Sequence, residues 1–226
     1  MTIPKSPPDC SIVSRETMEE ARSLIDENRD IFSRLQYLWL WWNKSVNLFS
    51  RKCGNTELYY HIWHSLLLSC HNPSGFIDDS NIIVDAGTGG GLPGIPMAVA
   101  CPDKQFLLVD KVRKKQRVIK DISTKLGLSN ITAVHDKIEN VRPNNKFRVV
   151  SKHAFDAADL LSSLGIAPES VMMLKGKDVF EELDKVDEEQ VSAIRIDEID
   201  ASFGSFFKDK YIVTFQLIMP QSAHGK

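Results

Sequence analysis

Residues 81–94 read Asn-Ile-Ile-Val-Asp-Ala-Gly-Thr-Gly-Gly-Gly-Leu-Pro-Gly: an apolar run ending in an acid, Asp85, and then glycines at alternate positions. An apolar run of this kind is a buried strand. Alternating glycines let the following residues take positive φ and bring the backbone close to another surface. Few folds have a use for that junction. A second apolar run, 106–109, ends in Asp110, about twenty residues past the loop. In Rossmann-like sheets the glycine turn approaches an adenosine-containing cofactor, and the second acid takes both ribose hydroxyls. The plainer readings are a tight strand-to-helix turn with no ligand and a solvated strand-end acid.

Further apolar runs at 131–134, 149–150 and 171–174, with helical patterns at 95–100, 112–126, 157–164 and 179–186, continue the alternation. That predicts an α/β fold: a mostly parallel, Rossmann-like sheet covered by helices. The alternation stops at 191–199 and 211–218, two strand-like runs with no helix between them, which predicts a C-terminal antiparallel pair. Upstream, 14–49 is helical in pattern. Ile31, Leu35, Leu38, Trp39 and Trp42 recur at three- and four-residue steps, with Asp30 as the N-cap. In a second helix Leu58, Tyr59, Ile62, Trp63, Leu66 and Leu67 share a face, and Asn72-Pro73 stops it. The resulting plan is a disordered tail over 1–10, an N-terminal helical cap over 11–72 and a sheet domain over 75–220.

With 28 basic and 30 acidic side chains the net charge is −2, so any attraction for nucleic acid must come from a local patch. The four cysteines include no Cys-x-x-Cys pair, which argues against a zinc site or disulfide framework and for reduced thiols in the cytoplasm. The first residues hold Lys5 and three prolines but no apolar stretch of a signal peptide, and no apolar run reaches the length of a membrane span. His61 and His64 share a helix face without a third metal ligand at a sensible spacing, so they read as core or surface histidines.

Two fingerprints overlap in the loop. Gly89, Gly91 and Gly94 match the dinucleotide pattern G-x-G-x-x-G. Asp85, Gly87, Gly89 and Gly91 match the acid-x-Gly-x-Gly-x-Gly pattern of S-adenosylmethionine-dependent methyltransferases and account for more residues. The terminal strand pair is typical of that version of the fold too. Pro93 and Pro96 suit a helix start but leave fewer N–H donors for a pyrophosphate. A nucleotide-dependent oxidoreductase therefore fits less well.

The longer string Asp85-Ala-Gly-Thr-Gly-Gly-Gly-Leu-Pro-Gly-Ile-Pro96, with Leu108-Val-Asp110 and Lys114-Lys-Gln-Arg117, closely resembles the small-subunit rRNA guanine-N7 methyltransferases (RsmG, formerly glucose-inhibited division protein B). Trp42-Asn-Lys-Ser-Val-Asn-Leu48, His61 with Ser65-Leu66, and Leu174-Lys-Gly-Lys177 look like further segments of that family. The resemblance implies S-adenosylmethionine as cofactor and 16S rRNA, free or in the small ribosomal subunit, as substrate. It also implies a cytoplasmic monomer without metal or membrane. Gly87 and Leu92 match the family's cofactor-contacting glycine and apolar residue, and Ile138-Glu139 match its pair beside the adenine. With Asp85, Gly89, Gly91 and Asp110, and His153 as a last contact, they make the expected cofactor site. The family has Phe-Asp-x-x-x-Ser-Arg-Ala where this chain has Phe147-Arg-Val-Val-Ser-Lys-His-Ala154. His153 falls on the arginine and Arg148 on the aspartate; a one-residue shift puts Lys152 on the arginine instead. Neither has arginine's rigid fork of donors, and a histidine is only partly charged near neutral pH. That departure keeps a second reading open, a non-catalytic rRNA-binding or ribosome-assembly factor on the same fold.

Guanine N7 offers its own lone pair and has no proton to remove, so no catalytic acid or base is expected. Lys111, Arg113, Lys114, Lys115, Arg117 and Lys120 place six cations within ten residues. Arg142, Lys146, Arg148 and Lys152 form a second group. Arg113, Lys114, Lys115, Arg117 and Lys152 are the expected RNA contacts, through phosphates beside the target base; a solvated helix face is the ordinary alternative. Glu181, Glu182, Asp184, Asp187, Glu188 and Glu189 are expected to face away from RNA.

Overall fold

The computed structural model describes residues 10–71, 76 and 81–218. Its strands are β1 (Cys10–Ile12), β2 (Ile82–Ala86), β3 (Gln105–Val109), β4 (Ile131–Val134), β5 (Phe147–Lys152), β6 (Ser170–Lys175), β7 (Val191–Glu198) and β8 (Tyr211–Leu217). They form one sheet in the order β1-β7-β8-β6-β5-β2-β3-β4. β2 pairs in parallel with β3, Val84 opposite Leu107, and with β5, Val84 opposite Val149. The chain runs outward through β3 and β4 on one side and through β5 and β6 on the other. A crevice therefore opens at the C-terminal ends of β2 and β5, where open α/β sheets bind ligands. β8 runs antiparallel to both β6 and β7, as the unbroken strand pair predicted.

The helices are α1 (Arg15–Glu27), α2 (Arg29–Asn43), α3 (Asn55–Cys70), α4 (Gly94–Ala100), α5 (Arg113–Leu126), α6 (Ala157–Ser163) and α7 (Val179–Leu183). Successive strand residues point to opposite faces, so each face carries its own core. Ile83, Phe106, Leu108, Val150 and Met172 pack with α1 to α5; Val84, Val109, Val149, Val171 and Met173 pack with α6 and α7. Every residue of β5 and β6 is buried, as expected for central strands covered on both faces.

The N-terminal helices depart from the sequence reading in two ways. The single pattern over 14–49 is two helices. Asn28, at φ −110°, closes α1 by donating its N–H and Nδ2 to the Leu24 carbonyl, and it also stands as the N-cap of α2. Asp30 lies inside the first turn of α2. As the sequence reading of a cap packed on the rest of the protein has it, Met18, Phe32, Leu35, Trp39, Leu58 and Ile62 lie in the same cluster as Ile83, Phe106 and Ile119. Trp39, fully buried, donates Nε1–H to the Gly90 carbonyl at 2.7 Å and ties α2 to the glycine loop. Truncating a buried side chain of that size to alanine costs ~3–5 kcal/mol.

The expected tail over 1–10 contains the start of β1. Cys10 to Ile12 pair in parallel with β7, and Val13 N–H continues the ladder to the Glu198 carbonyl. The remaining tail residues, the helix stop at Asn72-Pro73, the start of the sheet domain at 75 and its end at 220 lie outside the described residues. Among those described, no helix is long and apolar enough to cross a membrane.

Candidate active site at the sheet switch point

A cavity of about 560 Å³ lies at the C-terminal ends of β2, β3, β4 and β5. The turn after β2 supplies Gly87, Thr88, Gly89, Gly90 and Leu92; the later turns supply Asp110 to Val112, Asp136 to Glu139 and Lys152 to Phe155. Leu48, Phe49 and His61 close it from the helical side.

Asp85 shapes the glycine turn from inside. Its Oδ2 accepts from Thr88 Oγ1 at 2.6 Å and from Gly94 N–H at 2.8 Å, while Oδ1 is buried without a partner. The strand-end acid thus takes the loop's own donors. Burial pushes its pKa up to about 7 despite those two hydrogen bonds. Gly87, at φ +69°, lies so close to the β5 turn that a Cβ would sit 2.6 Å from Ala154 Cβ and 2.8 Å from the Phe155 ring. Gly90 is needed for a different close approach, since its Cβ would stand 2.8 Å from the Phe49 ring. Gly91 does not line the cavity; it packs against Ile95 and Ile119. Asp85 and Gly91 thus act behind the cavity wall.

Asp110 is held by both oxygens. Oδ2 accepts from Gly89 N–H at 3.0 Å and Oδ1 from Val112 N–H at 2.8 Å, with Lys115 Nζ 3.9 Å from Oδ2. Each oxygen keeps a lone pair for a further donor. Leu92 and Ile138 are buried and line the wall, and Glu139 stands exposed beside Ile138. His153 sits at the rim with φ +51°, a left-handed conformation that histidine reaches more readily than most side chains. The protein bulk around it, then the charges of Lys152, Lys210 and Lys175, lower its pKa to about 4. At neutral pH it therefore does not supply the positive charge of the family arginine.

Lys152, expected to reach RNA, is buried on β5. It donates to the His61 carbonyl at 3.0 Å and lies 3.5 Å from Ser65 Oγ, binding α3 to the sheet. The rest of the second basic group is similarly engaged. Arg148 is buried 5.3 Å from the Phe76 ring centroid, Lys146 pairs with Glu169 at 2.8 Å, and Arg142 donates to the Glu139 carbonyl. On α5, by contrast, Arg113, Lys114, Arg117 and Lys120 are exposed, as is Lys111 just before it; of this group Lys111 and Lys115 line the cavity. The acidic stretch is mostly exposed too, except that Glu182 pairs with buried Lys175, which donates to the Phe155 carbonyl at 2.8 Å.

Sequence reasoning missed Phe49, His61, Ala154 and Phe155 as cavity residues. Resemblance had marked the segments ending at Leu48 and beginning at His61, but no periodicity assigns a loop phenylalanine to a distant glycine. His64 is fully buried, and among the described residues no group of three or more His, Cys, Asp or Glu is gathered for a metal.

A parallel sheet with an antiparallel β8, a glycine turn after β2 and an acid after β3, around one switch-point cavity, is a Rossmann-like fold, and the family match makes it one of the S-adenosylmethionine-dependent methyltransferases. Residues 28–205 match the family described as rRNA small subunit methyltransferase G, and the chain belongs to that family. Two members named ribosomal RNA small subunit methyltransferase G show the extent of the likeness. That of Chlorobium limicola is 34% identical over 175 residues, 76% of each chain. That of Psychromonas ingrahamii is 35% identical over 168 residues, 73% of this chain and 78% of the other. The Chlorobium luteolum member is 42% identical over 119 residues, so the match spans 53% of this chain and 49% of that one. Among solved structures, an rRNA methylase from Streptococcus thermophilus aligns with a TM-score of 0.48 at 14% identity, over 69% of this chain and 97% of that one. A SAM-dependent methyltransferase from Aquifex aeolicus gives 0.46 at 14% identity, over 61% and 82%.

Proposed function

We propose that this chain transfers a methyl group from S-adenosylmethionine to N7 of a guanine in 16S rRNA, working as a monomer on free rRNA or the small subunit. The observation that carries this reading is a single cavity lined by two unlike sets of residues. One is the fixed carboxylate of Asp110 with apolar Leu92 and Ile138; the other is the rings of Phe49, His61 and Phe155. The residues fit the cofactor. Asp110 has lone pairs for the ribose hydroxyls, Leu92 and Ile138 offer apolar faces to the adenine, and Glu139 can accept from its amino group. Gly87 and Gly89 let the backbone line the same cavity, which His153 also borders.

The bound cofactor supplies an electrophilic methyl on a sulfonium: the N7 lone pair forms the new C–N bond as the C–S electron pair returns to sulfur. N7 releases no proton, so the chain's residues position the partners and exclude water rather than move a proton. In this reading Arg113, Lys114 and Arg117, exposed on α5, hold phosphates, and Lys115 is shared between Asp110 and RNA. The test is incubation with methyl-labelled cofactor and either naked rRNA or small subunits, followed by cleavage at N7-methylguanine. Label at one guanine is the expected outcome. Cofactor binding without transfer would favour a non-catalytic assembly factor, the reading His153 motivates.

A further inference from the structure

The cavity has an aromatic wall besides Asp110 and the glycine turn: Leu48, Phe49, His61 and Phe155 line it. Phe49 rests on Gly90 and meets Trp39 edge-on, with ring centroids 5.3 Å apart. His61 lies nearly parallel to Phe49, centroids 6.3 Å and planes 22° apart, and Phe206 closes on His61 edge-on at 5.1 Å. The imidazole is fixed from its own backbone as well, because Lys152 grips the His61 carbonyl from β5.

His61 Nδ1 is buried with no hydrogen-bond partner. An orphaned buried N–H is rarer in proteins than an orphaned acceptor, so the ring is best kept with its proton on Nε2, the nitrogen left to the cavity. Burial, then Lys152, His153 and Lys210, push the His61 pKa down to about 3, so the ring is neutral and carries a single N–H. Lys152 is already engaged with the His61 carbonyl, so on this wall the His61 ring offers a donor of its own.

We infer that Phe49 and His61 form the target-base subsite: the base stacks on the Phe49 ring beside His61, whose Nε2–H donates to O6 of guanine. This rests on the methyl-transfer reading above. On its major-groove edge guanine presents two acceptors side by side, O6 and N7, whereas adenine presents an N6 donor beside the same N7. A donor at this place selects guanine, which attack by N7 alone cannot do. Enzymes that modify bases take them out of the stack into pockets of this aromatic kind.

The experiment compares small-subunit rRNA carrying guanine or 2-aminopurine at the methylated position; 2-aminopurine keeps N7 and lacks O6. N7 methylation rates are measured for the unmodified protein, His61→Ala, His61→Asn and Phe49→Ala. 2-Aminopurine emission reports stacking, and equilibrium dialysis gives cofactor affinity. Removing one donor to the base, worth ~1–3 kcal/mol, predicts a roughly 5–150-fold slower guanine reaction for His61→Ala. The 2-aminopurine rate and cofactor affinity should not change. His61→Asn, which keeps a donor, should recover part of the rate, and Phe49→Ala should relieve the quenching of 2-aminopurine. Equal slowing on both bases, or unchanged emission in Phe49→Ala, would overturn the subsite while leaving methyl transfer intact. If the unmodified protein methylated no guanine at N7, the parent reading and the subsite would fall together.

Discussion

Two residues of the glycine turn, Gly87 and Asp85, should fail in different ways. A Cβ on Gly87 meets Ala154 Cβ at 2.6 Å while the backbone holds φ +69°. Gly87→Ala must therefore accept left-handed strain of ~1–2 kcal/mol and also push the Ala154–Phe155 turn away from the cavity. Denaturant unfolding should show a loss of at least that size, and equilibrium dialysis a cofactor affinity reduced more than the stability loss explains. An alanine variant with unchanged affinity would remove this turn from the cofactor site. Asp85 acts through its proton. Its folded pKa of about 7 lies above the ordinary 3.8, so the folded chain holds a proton that the unfolded chain has released. Its contribution is fully present below pH ~4 and is lost as pH rises toward ~7. Asp85→Asn keeps an acceptor for Thr88 and Gly94 but cannot ionise, so its unfolding free energy should lose less between pH 5 and pH 8. The slope is the readout rather than the absolute stability, since the new amide nitrogen has no acceptor where Oδ1 stood. Matching slopes would show that Asp85 does not titrate in this range.

At the scale of elements, α5 was legible and the second basic group was not, for one reason. Val118, Ile119, Ile122 and Leu126 recur at helical steps and are buried, so the cations between them had to face outward. In β5 the cations Arg148 and Lys152 belong to a central strand buried on both faces, and counting charges along a sequence cannot say that a strand is central. The break at Asn28 was hidden too, because the apolar period runs on through both helices. Within α5 the roles should separate. Lys114 and Arg117 are exposed, whereas Lys115 leans toward Asp110. Lys114→Glu with Arg117→Glu should weaken rRNA binding and flatten the dependence of log affinity on log salt by roughly 0.7–0.9 for each phosphate no longer neutralised. Cofactor affinity should stay unchanged. Lys115→Ala should lower cofactor affinity as well. Filter binding across a salt series checks the first expectation and dialysis the second; an unaltered salt slope would make this face a solvated one.

Across the whole molecule, the parallel alternation and the antiparallel end were readable because each strand announces itself by local apolar runs. What joins distant parts was not. Phe49 and His61 complete the cavity from the helical side, so the sheet domain alone does not hold a finished site. β1 is the extreme case: three residues whose only strand partner among the described residues, β7, lies far along the chain. Its pairing covers a sheet edge that would otherwise present free N–H and C=O groups to other molecules. Asp197 reinforces the same edge from within. Burial works against its charge, but hydrogen bonds from His71 at 3.0 Å and from Arg195 at 2.7 and 2.8 Å outweigh it and hold its pKa at about 2. That contribution is present above pH ~4 and lost only as pH falls toward ~2, so at neutral pH β7 stays anchored without β1. Removing residues 1–12 should therefore leave the fold and the cofactor affinity in place, because four strands lie between β1 and β2. It should lower unfolding free energy by the few backbone hydrogen bonds removed, ~0.5–1.5 kcal/mol each, and expose β7 to pairing. Light scattering should then show association that rises with protein concentration, which the full chain at the same concentration lacks. If the shortened chain stays monomeric and equally stable, β1 is no edge guard, and the Asp197 cluster alone secures that side of the sheet.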